Sequence, residues 1–229
     1  MLPLGHPPER PADPGTDPAR LLAGWLVETA GGVEDLKPRL LRLPDGHLVR
    51  LPVARWAGPV DRADESLLRR ATGAVLDVGC GPGRLTAALH ARGADVRGLE
   101  LLGDVPVLAR AAGAALTVGD VFGDVPRTGG WDSVLLADGN LGIGGDPVRL
   151  LRRSAELLAP GGRVLCELHA GPEPGPGPVR LEGLGTASAW FPWALVGIPS
   201  LSATSSAAGL GVDELWSVDG RDFAALTAA

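Results

Sequence analysis

A glycine-rich turn between an apolar strand and a helix is the feature that most restricts how this chain can fold. Residues 74–79 form a mostly apolar run, residues 79–83 have the sequence Gly-Cys-Gly-Pro-Gly, and a helical pattern begins at Arg84. Glycine adopts positive φ readily and lets the backbone pass close beneath a ligand, and the free N–H groups at a helix start attract anions. The pattern therefore predicts a ligand site at this turn, although close packing of a strand on a helix is an alternative explanation.

Regular alternation of strand and helix patterns begins at this point of the chain. Most of the predicted strands are continuous apolar runs, as in parallel sheets that are covered on both faces, and helical patterns lie between them. This alternation predicts a doubly wound α/β sheet. The predicted strands are 74–79, 95–99, 115–119, 132–137 and 162–168, followed by a hairpin of 213–218 and 222–227, and the predicted helices are 84–92, 103–112 and 146–158.

Composition divides the chain into three parts. Residues 1–17 contain five prolines, which exclude a helix or a central strand, so we expect a disordered tail. Residues 18–61 are expected to form an N-terminal cap, with a helix over 18–30 and a hairpin whose turn is Asp45-Gly46. Residues 62–229 are expected to form the main domain.

The turn resembles the first motif of the class I S-adenosylmethionine-dependent methyltransferases. The dinucleotide fingerprint has a glycine at the sixth position from Gly79, where this chain has Arg84. The chain instead matches the methyltransferase motif D-x-G-x-G-x-G without a substitution. Two acids, Glu100 and Asp120, end the second and third predicted strands at the family's spacing, although each is also compatible with a solvated strand end. The segments 131–136 and 157–165 resemble the family's fourth strand and its entry into the fifth.

The resemblance implies a fold, a cofactor and a set of cofactor-binding residues. The fold is a Rossmann-like seven-stranded sheet of order 3-2-1-4-5-7-6 with the last strand antiparallel. The cofactor is S-adenosylmethionine, with S-adenosylhomocysteine as the product. In the family the acid after strand two binds the ribose hydroxyls and the acid after strand three binds the adenine amine. The residues that the resemblance assigns to the cofactor are Asp77, Gly79, Cys80, Gly81, Gly83, Glu100, Leu101, Asp120, Val121 and Asp138.

Candidate catalytic residues follow the fourth and fifth predicted strands. Asp138 and Asn140 leave strand four, and His169 leaves strand five at the same edge of the sheet. Histidine is suited to general base catalysis near neutral pH, so we predict His169 or Asp138 as the base and Asn140 as a substrate contact. A purely structural or solvent-exposed His169 is the alternative. We predict no metal site, because no second acid follows strand five.

Aromatic residues are expected to line the acceptor pocket. The chain has six tryptophans, three phenylalanines and no tyrosine, and several of these aromatics cluster after strand five or lie in the cap. An apolar cavity with few polar groups is typical of small-molecule sites, whereas packing in the hydrophobic core is the alternative role. The predicted pocket residues are Trp25, Trp56, Trp190, Phe191 and Trp193.

The net charge and the absence of one motif limit which methyl acceptors are expected. The net charge is −6, which disfavours sequence-independent binding of phosphate backbones, and the turn after strand four lacks the Pro-Pro-aromatic signature of DNA amino-methylating enzymes. Neither a signal peptide nor an 18-residue apolar run is evident, so we expect a cytoplasmic protein without membrane or nucleic-acid partners. The expected function is methyl transfer to a small molecule, with secondary metabolites as one candidate class. A non-methylating use of the same fold and a non-catalytic cofactor-binding module are the alternatives, and the oligomeric state stays open.

Overall fold

The computed structural model describes residues 16–31, 38–175, 177–183 and 185–228. In chain order, the first elements are α1 Pro18–Ala30, β1 Leu40–Arg42, β2 Leu48–Arg50, α2 Val53–Ala57, α3 Arg62–Leu68, β3 Ala74–Val78, α4 Arg84–Ala91, β4 Asp95–Glu100, α5 Val107–Ala111 and β5 Ala115–Val118. After these come β6 Trp131–Leu136, a 3-10 turn Asn140–Gly142, α6 Pro147–Leu157, β7 Leu158–Leu168, β8 Arg180–Gly183, β9 Thr186–Ala187, α7 Ile198–Ala207, β10 Leu210–Val218 and β11 Arg221–Ala228.

Seven strands form the main sheet in the order β10-β11-β7-β6-β3-β4-β5. The strands from β3 to β7 pair in parallel, whereas β11 is antiparallel to both β7 and β10. This is the expected order with the last strand inserted antiparallel, so the fold prediction is confirmed. Because parallel strands end at one edge of a sheet, the residues that follow β3, β4, β5, β6 and β7 meet at that edge.

The main sheet is covered on both faces. Alternate residues of β3 face opposite sides: Leu76 packs in the cluster that includes Leu150 and Leu151 of α6, and Val75 packs in the cluster that includes Leu67 of α3. Alternation of side chains across a strand is the physical reason for this division. The two apolar layers explain why the central strands are continuous apolar runs.

A second, four-stranded sheet belongs to the cap and has the order β2-β1-β8-β9. The hairpin of β1 and β2 has the expected Asp45-Gly46 turn, but β1 also pairs with β8, which lies after the last parallel strand of the main sheet. Arg42 of β1 donates to Glu182 of β8 at 2.6 Å. The cap is therefore built from two segments distant in the chain, whereas sequence patterns assigned it to 18–61 alone. The short β8 gave no periodic signal.

The first described residues contact other parts of the chain. Asp17 caps α1, since its side chain accepts from the amide of Ala19 at 2.9 Å. Thr16 bridges to Ser188 and its carbonyl accepts from the amide of Ala189 at 3.1 Å. Thr16 and Asp17, which the predicted tail included, therefore have structural partners. The remainder of that tail, residues 1–15, lies outside the described residues.

Candidate functional site

The glycine turn after β3 has three residues with positive φ. The φ values are +67° at Gly79, +53° at Gly81 and +92° at Gly83. A Cβ at Gly79 would lie 2.8 Å from the side-chain nitrogen of Asn140, and one at Gly83 would overlap Ala109 of α5. Those two glycines permit close packing. At Gly81 the nearest atom to an added Cβ is Leu26 Cδ1 at 4.0 Å, so this position borders open space.

Asp77 supports the turn from within the sheet. It is buried in β3, where the Thr86 hydroxyl at the start of α4 donates to its carboxylate at 2.6 Å. Burial raises the pKa of Asp77 to about 6. Burial also raises the pKa of the neighbouring Cys80 thiol, which keeps the sulfur protonated and unreactive. The two residues therefore have a structural role in the turn.

Replacing Asp77 by asparagine should change how stability depends on pH. An unfolded chain loses this proton near pH 3.9, but the folded chain loses it near pH 6. Between these values the unfolded state binds fewer protons, so the free energy of unfolding falls as the pH rises, by about 3 kcal/mol. We expect urea unfolding from pH 4 to 7 to show this fall in the wild type relative to Asp77→Asn. A constant difference between the two proteins would contradict the assignment.

Glu100 at the end of β4 is oriented by the glycine turn. Its Oε2 accepts from the amide of Gly81 at 2.9 Å, and its Oε1 accepts from the amide of Leu102 at 3.3 Å. The adjoining Leu101 is 56% exposed. Glu100 therefore presents a fixed carboxylate beside the open space at Gly81.

The loop after β5 is held from outside by an arginine of α6. Asp120 accepts from the amide of Phe122 at 3.0 Å, and Val121 is buried. Arg153 donates to the carbonyl of Val121 at 2.9 Å and to that of Gly123 at 2.7 Å. The helical pattern of residues 146–158 gave no sign of this contact.

Replacing Arg153 by alanine should weaken binding of S-adenosylhomocysteine. The substitution removes two charge-assisted hydrogen bonds, each of about 1.5–3 kcal/mol, from the loop that carries Asp120. We expect at least about a tenfold rise in Kd by calorimetry. Arg152→Ala is the matched control, because Arg152 lies on the same helix and donates to Ala207 instead. Equal Kd values for both variants would show that the loop does not depend on Arg153.

A cavity of about 440 Å³ is lined by the glycine turn, the end of β4 and the loop after β5. It lies at the carboxyl edge of the sheet and is closed on one side by α1 of the cap. Asp77 and Gly83 support it from behind and are absent from its lining. The predicted cofactor residues that line it are Gly79, Cys80, Gly81, Glu100, Leu101, Asp120, Val121 and Asp138.

A second cavity of about 320 Å³ adjoins the first. The cavities share six lining residues, and the second extends under the cap to the end of β7, where His169 lines it. The His169 amide donates to the carbonyl of Val196 at 2.8 Å. The shared residues, which form the junction between the cavities, are Leu22, Trp56, Asp138, Leu181, Phe191 and Trp193.

The predicted pocket residues divide into two groups. Trp56, Phe191 and Trp193 line both cavities. Trp25 is buried in the cap core, with Arg39 above its ring, and Trp190 is 47% exposed beside Arg180. The structure therefore does not bring Trp25 or Trp190 to the cavities. Trp190 and Phe191 are consecutive residues of an extended segment, so their side chains point to opposite sides.

Asn140 lies at the first cavity. Its side-chain nitrogen donates to the carbonyls of Val78 at 2.8 Å and Gly79 at 2.9 Å. These bonds connect the loop after β6 to the glycine turn. Asn140 lines the first cavity and is absent from the lining of the second, so the predicted substrate contact lies beside the cofactor residues.

Asp138 is held in a network of buried charges. Both of its carboxylate oxygens accept from Arg84, at 2.8 and 2.6 Å, and its amide donates to Glu167 at 2.8 Å. Arg84 also pairs with the buried Asp64. Burial raises the pKa of Asp138, with Arg84 acting against that effect. Arg84 therefore fixes both carboxylate oxygens of Asp138 within this network.

Two further arginines complete this network. Arg221 donates to both oxygens of Glu167 at 2.8 Å. Arg55 of α2 lies 3.6 Å from Asp138 and 3.5 Å from Glu167. These three residues and Arg221 all line the second cavity. Sequence reasoning missed Glu167, Arg55 and Arg221. A glutamate within the apolar strand β7 was the one available signal, since a buried charge requires partners.

The described part of the chain was searched for metal-binding groups and for membrane-spanning helices. Within it, no group of three histidine, cysteine, aspartate or glutamate side chains is placed to hold a metal ion. None of the helices in the described ranges has the length and apolar character required to cross a membrane.

Comparison with known families gives one match. Residues 75–162 match a family model described as a methyltransferase domain. This range runs from β3 into β7 and includes the glycine turn, Glu100 and Asp120. No curated protein sequence matches the chain.

Solved structures with a similar fold include several methyltransferases. A S-adenosylmethionine-dependent methyltransferase from Bacteroides fragilis, in complex with S-adenosyl-L-homocysteine, has a TM-score of 0.72 at 20% identity, covering 96% of this chain and 97% of that one. The CcbJ methyltransferase from Streptomyces caelestis has a TM-score of 0.56 at 21% identity, covering 76% and 92%. The O-methyltransferase NcsB1 from neocarzinostatin biosynthesis, in complex with S-adenosyl-L-homocysteine and 1,4-dihydroxy-2-naphthoic acid, has a TM-score of 0.53 at 26% identity, covering 69% and 49%.

Proposed function

We propose that this chain is a class I S-adenosylmethionine-dependent methyltransferase that methylates a small molecule with a largely apolar body. Its fold and the match of residues 75–162 to a methyltransferase domain support this. The observation that carries the proposal is the pair of adjoining cavities. The first contains the cofactor residues of the family pattern, and the second is a mainly apolar chamber that shares six residues with it.

The first cavity suits S-adenosylmethionine. Gly81 leaves open space over the turn, Glu100 offers a fixed carboxylate to the ribose hydroxyls, and Asp120 is the candidate partner of the adenine amine. When bound, the cofactor supplies an electrophilic methyl group on a sulfonium. The residues of this chain therefore have to position the acceptor and exclude water.

The second cavity suits an acceptor of limited size. Its volume is at the lower end of the range of about 300–1,000 Å³ that is typical of small-molecule sites. Leu41, Val49, Leu51 and Leu168 contribute apolar walls, and the cap covers the chamber. The structure of NcsB1 contains a naphthoic acid, and by analogy we propose an acceptor of similar size, with secondary metabolites as the leading class.

His169 is the proposed general base. It lines the acceptor cavity at the end of β7, and its backbone is held through Val196. A neutral imidazole nitrogen accepts a proton from an acceptor hydroxyl or amine as the new bond to carbon forms. Asp138 is proposed to hold Arg84 and the loop after β6, because both of its oxygens are already paired.

Methyl labelling tests the proposed function. Purified protein is incubated with methyl-labelled S-adenosylmethionine and a cell extract, and the label is measured in small-molecule, protein, nucleic-acid and lipid fractions. We expect label in a small molecule, because the net charge of −6 disfavours binding to nucleic acid. Label in nucleic acid or protein would contradict the acceptor class. No transfer to any fraction would favour a non-methylating use of the fold or a binding module.

We also propose that the reaction takes place in the cytoplasm. Fractionation of cells that produce the protein, with antibody detection in the soluble and membrane fractions, tests this directly. Recovery of the protein in the membrane or secreted fraction would contradict it.

A further inference from the structure

The charged side chains that line the first cavity are all of one sign. Four carboxylates line it, whereas no arginine, lysine or histidine among the described residues does so. A cleft lined by charge of one sign attracts ligands of the opposite sign, so this cavity should favour a cationic ligand. The four carboxylates are those of Asp17, Glu100, Asp120 and Asp138.

Three of these carboxylates have no ion-pair partner within the described part of the chain. Arg84 pairs with Asp138 at 2.6 Å and balances its charge. Asp17, Glu100 and Asp120 accept hydrogen bonds from backbone amides instead, and an amide stabilises a carboxylate without removing its charge. The N-termini of the adjoining helices α1 and α4 contribute about half a positive charge each. The cavity therefore keeps a net negative charge.

These three carboxylates are within reach of a ligand. Asp17 and Asp120 are exposed and Glu100 is half-buried. Glu100 and Asp120 belong to the main sheet, but Asp17 is brought to the same cavity by the cap helix α1, whose N-terminus it caps. The cap thus adds a negative charge to a site that the main sheet already makes negative.

S-adenosylmethionine and its product differ by one charge. Both molecules have an ammonium and a carboxylate group, but only S-adenosylmethionine also has a sulfonium. In the transfer the bond between methyl and sulfur breaks and its electron pair stays on sulfur. The methyl forms a bond to the acceptor atom, whose proton passes to His169 in the proposed function. The cofactor therefore changes from a cation to a molecule without net charge inside a negatively charged cavity.

We propose that the first cavity selects S-adenosylmethionine over S-adenosylhomocysteine by charge, with Asp17 and Glu100 as specificity-determining residues. This inference rests on the proposed function and adds to it a means of product release. The carboxylates attract the sulfonium before the transfer, and this attraction ends when sulfur becomes neutral. The product then leaves more readily than the substrate cofactor.

Binding of three nucleosides to the full-length protein tests this proposal. They are S-adenosylmethionine, S-adenosylhomocysteine and sinefungin, in which a carbon that carries an ammonium group replaces the sulfonium. Calorimetry without an acceptor measures binding alone. We expect both cationic ligands to bind at least about tenfold more tightly than S-adenosylhomocysteine at low ionic strength. This preference should decrease in about 0.5 M salt, because salt screens exposed charges. Equal or tighter binding of S-adenosylhomocysteine, or a preference that salt leaves unchanged, would overturn the proposal.

Variants locate the preference in the two carboxylates. Asp17→Asn removes a charge and keeps an effective helix N-cap, and it should lower the preference for S-adenosylmethionine by at least about threefold. Glu100→Gln should lower it as well. Asp146→Asn is the matched control, because Asp146 likewise caps a helix that begins with proline and lines neither cavity. An unchanged preference in both Asp17→Asn and Glu100→Gln, or an equal decrease in Asp146→Asn, would overturn the proposal.

The same measurements distinguish failure of this inference from failure of the proposed function. If S-adenosylhomocysteine binds as tightly as S-adenosylmethionine while methyl labelling finds a small-molecule product, the proposed function stands and the charge selection alone is wrong. If none of the three nucleosides binds, the cofactor assignment is wrong, and both proposals fail with it.

Discussion

Gly81→Val will abolish measurable binding of S-adenosylhomocysteine while the protein stays folded. Gly81 lies at the centre of the glycine turn, where an added Cβ would have Leu26 Cδ1 at 4.0 Å as its nearest neighbour. A valine side chain would therefore enter the cavity and take up space that the ligand needs. Calorimetry should show at least about a hundredfold loss of affinity, beyond about 2.7 kcal/mol of lost binding free energy.

Two other glycines separate this steric effect from backbone strain. Gly93 also has a positive φ, of +77°, and no atom within 4 Å of an added Cβ, so Gly93→Val imposes a similar backbone cost away from the cavity. It should lower thermal stability and leave binding unchanged. Gly83→Val should unfold the protein, because its Cβ would overlap Ala109. Native-like affinity in a folded Gly81→Val protein would show that the turn is structural only.

His169→Ala will lower the rate of methyl transfer by about 10²–10⁴-fold, the usual contribution of a general base. The affinity for S-adenosylhomocysteine should change little, because His169 lines the acceptor cavity and is absent from the lining of the first. Turnover is measured as label incorporated into the metabolite identified in cell extract. His90→Ala is the control, since His90 lies exposed on α4.

Asp138→Asn separates the two candidate bases. If Asp138 is the base, the rate loss will follow this variant, and His169→Ala will retain turnover. We expect instead that Asp138→Asn will weaken cofactor binding and stability, because it disturbs the pairing with Arg84. Near-normal turnover in both variants would mean that positioning alone catalyses the transfer, and that neither residue acts as a base.

The cofactor side of the site was predictable from local sequence. Strands β3, β4 and β5 are identifiable from their apolar or alternating patterns, and Gly81, Glu100 and Asp120 lie at their carboxyl ends or within three residues of them. The carboxyl ends of neighbouring parallel strands meet at one edge, so the order of the strands is enough to bring these residues together. The cavity that they line is completed by α1 of the cap, whose position depends on the tertiary structure.

The acceptor side was predictable only in part. His169, Phe191 and Trp193, which the sequence analysis named as catalytic or pocket residues, line the second cavity. Trp25 and Trp190 do not, since whether a tryptophan faces a cavity, a core or water depends on what packs on each side of its segment. Periodicity says that Trp190 and Phe191 face opposite ways but not which of them faces inward.

The sequence by itself therefore determined the main sheet, the glycine turn and the acids after its strands, since each depends on a local pattern of a few consecutive residues. The tertiary structure alone decided the two-segment cap sheet and the charge network of the second cavity. Arg42 meets Glu182 across 140 positions of the chain, and Arg221 meets Glu167 across 54. Such pairs leave no periodic trace, because the partners are brought together by the packing of whole elements and not by their neighbours in sequence.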